Sequence, residues 1–289
     1  MALLGMGGIM REMDERGQLR ALVQDLDGAR VPEIRRAVRE LLRRINGGEV
    51  LVAEVRELVA AEEPEARHVA CSLLARCFAE EGASALDLLE MLAADRDWTV
   101  REAASQAAGA LLRTSFAPVM ERLRGFAGHT DPYVRRCVPV AAMKAGHSRR
   151  PEYAVPLLKL IAPLLDDHDP IVRRSLGPFA LGRGLLCSYP AVTFEYLVQW
   201  STSFDEQVLW NVAMAFSGSC AAPMVKKALI VLRKLALDER RYVWRAVASA
   251  MWKLGRRNAD VVRPQLAAWL NDPDRVHVAR AALQHLEGA

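Results

Sequence analysis

The sequence predicts an all-α chain, a right-handed α-solenoid of about eight stacked helical pairs, and three observations lead there. Strand-like alternation of β-branched and polar residues is missing along all 289 residues. Helix formers dominate: Ala, Leu, Arg and Glu are abundant, while aromatic residues make up 6%. Most telling, one short motif recurs at a nearly constant interval, the mark of a repeat architecture.

The motif is an acid or an Asp-Pro turn, then an aliphatic residue, usually an arginine, and then a run of small apolar residues. It reads Pro32-Glu33-Ile34-Arg35-Arg36, Pro64-Glu65-Ala66-Arg67-His68 and Asp97-Trp98-Thr99-Val100-Arg101-Glu102. It continues as Asp131-Pro132-Tyr133-Val134-Arg135-Arg136 and Asp169-Pro170-Ile171-Val172-Arg173-Arg174. Weaker copies start at Asp205, Arg240 and Asp274. The aliphatic anchors fall at 34, 66, 100, 134, 172, 208, 243 and 276, spaced by 32 to 38 residues. That interval holds two helices and two turns. Asp131, Asp169 and Asp272 are placed to cap the second helix of their repeats, with proline in its first turn. Prolines 118, 156, 190, 223 and 264 fall in the first halves of the first helices, where they set the entry angle or bend the helix. A single pair cannot bury its apolar face alone, so neighbours must stack. In length and in its Asp-Pro-x-Val-Arg signature the unit resembles the HEAT repeat, over nearly the whole chain. The expected domain is therefore one solenoid over 1–289.

Bulk properties narrow the function classes. Hydrophobic residues at 52% supply a core, and charged residues at 26% argue against disorder. No run approaches the roughly 20 apolar residues needed to span a bilayer, so no membrane partner is expected. The apolar stretch Met1–Met10 is short, has no positive charge ahead of it, and reads as a loose start rather than a secretion signal. Cys71, Cys77, Cys137, Cys187 and Cys220 form no metal-ligand spacing, which leads us to expect reduced, mostly buried thiols in a cytoplasmic monomer. Charge is uneven. Residues 1–95 carry 18 acids against 12 bases, and residues 226–280 carry 13 bases against 5 acids. Of 39 basic residues, 33 are arginine, which suits either a GC-rich genome or a phosphate-binding surface.

Helical geometry sorts the motif residues. Val100, Ala103, Ala104, Ala107 and Leu111 form the expected buried stripe of the third repeat. Two residues past the anchor lies about 200° round the helix, on the opposite face. There Trp98, Glu102 and Gln106 share a face, and the equivalent column reads Arg36, His68, Glu102, Arg136, Arg174, Trp210, Arg245 and Val278. The HEAT resemblance implies that this column lines a concave groove.

No phosphate-binding glycine loop, nucleophile elbow, HExxH or GxGxxG is present, and no cofactor or metal is expected. The six histidines are dispersed over different repeats and read as surface or turn residues. From Asp95 to Trp210, however, the chain resembles the bacterial AlkC/AlkD-type HEAT-like DNA glycosylases, which remove N3- and N7-alkylated purines from duplex DNA. In that family a Trp precedes a catalytic carboxylate by four residues at a helix start, as in Trp98-Thr99-Val100-Arg101-Glu102. The resemblance implies Glu102 and Trp98 as catalytic residues. It also implies duplex DNA as partner, with Arg136 as a DNA contact; Arg174, Arg245 and Trp210, in the same column, are the further candidate DNA contacts. Two departures stand out: Glu102 where the better-known branch has Asp, and Pro178 where it has a second Trp.

Bland readings sit beside these. Trp98 can seal a helix start, Glu102 can form a solvated ion pair with Arg136, and the arginines can be solvated rungs. Three functions follow: an alkylated-purine glycosylase, a DNA-binding relative without catalysis, or a scaffold whose groove holds a protein partner. The fold does not choose among them.

Overall fold

The computed structural model describes residues 21, 25–26, 28–44, 52–147 and 149–287. The apolar start Met1–Met10 lies outside them. Every regular element among the described residues is helical, as the missing β alternation predicts. No single helix among them is long and apolar enough to cross a membrane. The chain divides into two compact units, Met1–Arg122 and Leu123–Ala289, and each is a stack of helical pairs.

The first unit contains α1 (Val31–Arg44), α2 (Val52–Val59), α3 (Pro64–Glu80), α4 (Gly82–Ala93) and α5 (Trp98–Thr114). The second helices α1, α3 and α5 pack in a row, and α2 and α4 pack against them. Helix α6 (Phe116–Ala127) contains the unit boundary. The second unit continues with α7 (Pro132–Ala145), α8 (Ala154–Ile161), α9 (Pro170–Ser175), α10 (Pro190–Trp200), α11 (Glu206–Ala215), α12 (Val225–Leu235), α13 (Arg241–Gly255), α14 (Ala259–Leu270) and α15 (Val276–Glu287). Here α7, α9 with its extension, α11, α13 and α15 form the row of second helices.

The anchors do what the repeat requires. Ile34, Ala66, Val100, Val134, Val172, Val208 and Val243 are all buried. The last repeat corrects the register. Val276 is only half-buried, whereas Val278, Ala279 and Ala282 are buried. In repeats with helices at Pro64, Trp98, Pro132, Pro170, Glu206 and Arg241, the anchor is the third helical residue. The final turn is longer: the Asp272 carboxylate accepts the Asp274 N–H and binds the Arg275 guanidinium, and the helix begins only at Val276. The third residue is then Val278, which belongs to the core and not to the exposed column.

Aspartates begin the second helices. Asp97, Asp131, Asp169 and Asp205 each accept backbone N–H bonds from the first helical turn. Asp272, expected as a cap, instead closes its own turn. The arginine after the anchor has a structural role as well. Arg67 donates to both oxygens of Asp95 (2.6 and 3.1 Å) and to the carbonyls of Ala61 and Glu62. Arg135 repeats this with Asp167 (2.7 and 3.2 Å) and the carbonyls of His129 and Thr130. Each guanidinium thus ties its helix to the turn that opens the second helix of the next repeat.

The fifth repeat departs from α geometry. After α9 the helix runs as a π-helix over Leu176–Leu185. The Gly177 N–H is donated to Asn211 Oδ1 (2.9 Å), and Pro178 has no N–H. Two successive rungs of the α ladder are lost, and the chain re-registers to the wider coil, so that the Leu186 N–H reaches back to Leu181. Asn211 is fully buried and its Nδ2 donates to the Leu165 carbonyl (2.8 Å).

Candidate functional site

Trp98 is the first residue of α5, and its side chain is 67% exposed. An apolar ring at that exposure does not seal the helix start. Its backbone is fixed from behind: Asp97 accepts the N–H groups of Thr99 and Val100, Asp95 accepts the Asp97 N–H, and Arg67 and Arg101 clamp the same turn. Burial pushes the Asp97 carboxyl up, but the Thr99 hydroxyl, the two N–H groups and Arg67 outweigh it and hold the group below the usual carboxylate range. Asp97 therefore stays an anion that anchors the turn.

Glu102 follows one turn later on the same face and is half-buried; Gln106 Nε2 donates to its Oε1 at 3.2 Å. Behind them a shallow cavity of about 210 Å³ between α3 and α5 is lined by His68, Cys71, Gln106 and Ala107. His68 is buried and Ala107 half-buried, so the column at His68 turns into the core while the stripe at Ala107 opens to the cavity. Arg36 is exposed on α1.

In the second unit Arg136 on α7 is half-buried, whereas Arg174 on α9 and Arg245 on α13 are exposed. Trp210 on α11 is half-buried and stacks on Tyr242 (5.8 Å between centroids, 12° between planes). The Tyr242 hydroxyl donates to Gln207 Oε1 (2.7 Å). Trp210, Tyr242, Arg241 and Arg245 line an open groove of about 590 Å³ between α11 and α13. Stacked rings flanked by two guanidinium groups that form no ion pair among the described residues suit a phosphate backbone and the faces of its sugars or bases.

Two features are not visible in the motif. Cys187 and Cys220 form a disulfide, with Cα atoms 5.2 Å apart, so the expectation of reduced thiols holds only for the buried Cys71, Cys77 and Cys137. Their separation of 33 residues, close to one repeat, was the available signal: it sets both just beyond the second helices of adjacent repeats. The second feature is a basic cavity at the C-terminal ends of α11 and α13, beside the π-helix, taken up below. No group of three His, Cys, Asp or Glu among the described residues is placed to hold a metal ion.

The fold and the site define a helical-repeat protein with an exposed Trp98 one turn ahead of a half-buried Glu102, and with basic, aromatic surfaces. Within that class, the chain belongs to the family described as DNA alkylation repair enzyme, which it matches over residues 20–179. That span contains Trp98, Glu102, Arg136 and Arg174, and ends before Trp210 and Arg245. No curated protein matches the chain. Among solved structures it is similar to YibA of Escherichia coli (19% identity, 96% of this chain and 97% of that one, TM-score 0.43). It is also similar to the karyopherin Kap121p, solved bound to the extreme C-terminus of the phosphatase Cdc14p (14%, 81% and 33%, TM-score 0.45), of which it spans one third. A designed armadillo repeat protein matches at 17% identity over 70% of this chain and 99% of that one, with TM-score 0.30.

Proposed function

We propose that this family member is a DNA glycosylase that excises cationic N3- and N7-alkylated purines from duplex DNA. The observation that carries the reading is the exposed Trp98 one turn ahead of Glu102 on a single face of α5, with the turn before them held rigidly. Alkylation makes the purine a cationic leaving group. The N-glycosidic bond then breaks with its electron pair moving to the purine, which leaves neutral, and positive charge develops on the sugar. The Glu102 carboxylate stabilises that charge and accepts the proton of the water that adds to C1′. The Trp98 ring packs against the sugar and favours the cationic lesion. Arg136, Arg174 and Arg245, with Trp210, hold the flanking backbone. No cofactor or metal is required by this route.

Release of N7-methylguanine from methylated duplex DNA tests it. Glu102→Gln keeps the shape and removes the charge, so release should fall by about 100-fold or more while duplex binding persists. Glu102→Asp should retain activity, and Trp98→Ala should lower excision more than binding. Unchanged excision in Glu102→Gln sinks the assignment. A second reading, a DNA-binding relative without catalysis, draws on Pro178: the residue that stands for the second Trp is built into a π-helix and has no flat indole. A wild-type protein that binds duplex but releases no base favours that reading. A failure to bind duplex at low salt leaves the protein-scaffold reading.

A further inference from the structure

A cavity of about 530 Å³ lies wholly within the second unit, where the π-helix meets the C-terminal ends of α11 and α13. Four cations line it, Arg183, Lys253, Arg256 and Arg257, with no carboxylate among the lining residues. None of the four forms an ion pair among the described residues. Arg257 donates only to the Lys253 carbonyl (3.2 Å). Arg183 instead lies over the Phe179 ring (5.3 Å to the centroid), and Lys253 over the Trp252 ring (5.9 Å). Lys253 is half-buried; its burial, and then the charges of Arg183 and Arg257, push its ammonium below the usual range. Like charges converging on a concave, partly desolvated site repel one another unless an anion joins them.

The cavity also offers a flat apolar surface. Phe179 is 43% exposed on its wall, so an apolar ring there is open to a ligand. The walls are fixed. Cys187, four residues after Arg183, is bonded to Cys220, two residues after the lining Gly218. Gly218 and Gly182 approach so closely that a Cβ on Gly218 would lie 3.0 Å from the Gly182 carbonyl oxygen. A pre-formed cavity of this volume is in the range of small-molecule sites, roughly 300–1,000 Å³, and exceeds what a bare phosphate fills.

We propose that this cavity is a binding site for a nucleoside phosphate, with the phosphate held by Arg183, Lys253, Arg256 and Arg257 and the flat base against Phe179. Guanidinium forks and an ammonium match phosphate oxygens, and base–aromatic stacking tolerates any base. The site lies almost entirely beyond residues 20–179 and does not involve Glu102, so it stands whether or not the chain is a glycosylase. The nucleotide is either free or the phosphorylated end of a DNA strand; the chemistry is the same.

Titration of the full chain at low salt, followed by calorimetry and tryptophan fluorescence, tests the site with adenosine monophosphate, adenosine, inorganic phosphate and a short 5′-phosphorylated single strand. Adenosine monophosphate should bind, and adenosine should bind at least about tenfold more weakly. Arg256→Gln and Arg257→Gln alter exposed side chains outside the core and should each weaken the nucleotide about tenfold. Phe179→Ala should weaken the nucleotide but leave inorganic phosphate unchanged. Competition between the nucleotide and the 5′-phosphorylated strand, but not its 5′-hydroxyl counterpart, assigns the natural source to a strand end; binding of the nucleotide without such competition assigns it to a free nucleotide. Absence of binding by every probe at millimolar concentration overturns the proposal. So does nucleotide binding that is unchanged in both arginine variants, which would place it elsewhere.

Discussion

Gly182 in the π-helix touches the neighbouring helix α11 so closely that a Cβ there would lie 2.6 Å from the Ala215 carbonyl oxygen. The atom in the way is backbone, which cannot swing aside as a side chain does. Gly182→Ala should therefore cost about 1–3 kcal/mol through forced displacement of packed elements. Gly125, in α6, has nothing within 4 Å of its would-be Cβ, and Gly125→Ala should stabilise by up to roughly 1 kcal/mol through helix propensity alone. Urea midpoints of the two variants check the pair; equal and small effects would show that the close packing of the π-helix is wrong. The same scale decides between bland and functional readings of the motif residues. The arginine directly after the anchor is structural, as Arg67 and Arg135 show by their bidentate bonds to Asp95 and Asp167. The next residue, at Arg174 and Arg245, reaches solvent and remains available for a partner. In the sequence the two arginines of each Arg-Arg pair look alike, and only the 100° between them on the helix separates their duties.

Among the elements, those that follow a local rule were legible. The Asp-x-x-Val starts at Asp97, Asp131, Asp169 and Asp205 became capped helices because the cap and the apolar stripe lie within one short segment. The π-helix was not legible, because its cause is divided: Pro178 is local, but the acceptor that removes the Gly177 N–H is Asn211, one repeat away. The shifted last anchor arose from a longer turn at Asp272, which the motif pattern alone does not register. The Trp98–Glu102 pair was legible from four-residue spacing, whereas the basic cavity gathers Arg183 with three cations about one helix-pair pattern removed twice over in sequence. Links between elements also carry a pH dependence. Burial raises the Asp167 carboxyl, but the Arg135 guanidinium and the Asp169 N–H outweigh it and hold the group below the usual range, as Asp97 is held. A carboxyl whose folded pKa lies below its unfolded value of about 3.9 binds fewer protons in the folded state. Its contribution is complete above that value and is lost as pH falls through the folded pKa. Urea midpoints should accordingly be level from pH 7 to about 5 and fall steeply below about 4. Arg135→Met should destabilise strongly at pH 7, by about 3–5 kcal/mol, because it leaves a buried carboxylate unpaired. The gap to wild type should narrow on acidification, as protonation of Asp167 relieves that cost. A gap that widens toward low pH would contradict the pairing.

Across the whole molecule charge follows the division into units. Residues 1–122 hold 21 acids and 16 bases, and residues 123–289 hold 14 acids and 23 bases. The acidic unit carries Trp98 and Glu102, while the basic one carries Arg136, Arg174, Arg245 and the stacked Trp210–Tyr242 pair. With the proposed DNA contacts, duplex affinity is governed by counterion release at the second unit. The logarithm of the binding constant should fall linearly with the logarithm of salt, with a slope of about −0.9 for each phosphate neutralised. Replacing Arg136, Arg174 and Arg245 together by Gln should weaken binding to all sequences alike and flatten that slope by about three units. Arg263 is an exposed arginine on α14, a first helix, and supplies the contrast: Arg263→Gln should leave the slope unchanged. Fluorescence anisotropy of a labelled duplex over a range of salt measures both. A triple variant with the wild-type slope would remove these arginines from the interface. An equal loss from Arg263→Gln would mean that diffuse charge, rather than a row of placed guanidinium groups, attracts the duplex. The distinction bears on register, because diffuse attraction raises local DNA concentration but leaves the duplex free to slide, whereas placed arginines both attract it and fix its position on the second unit.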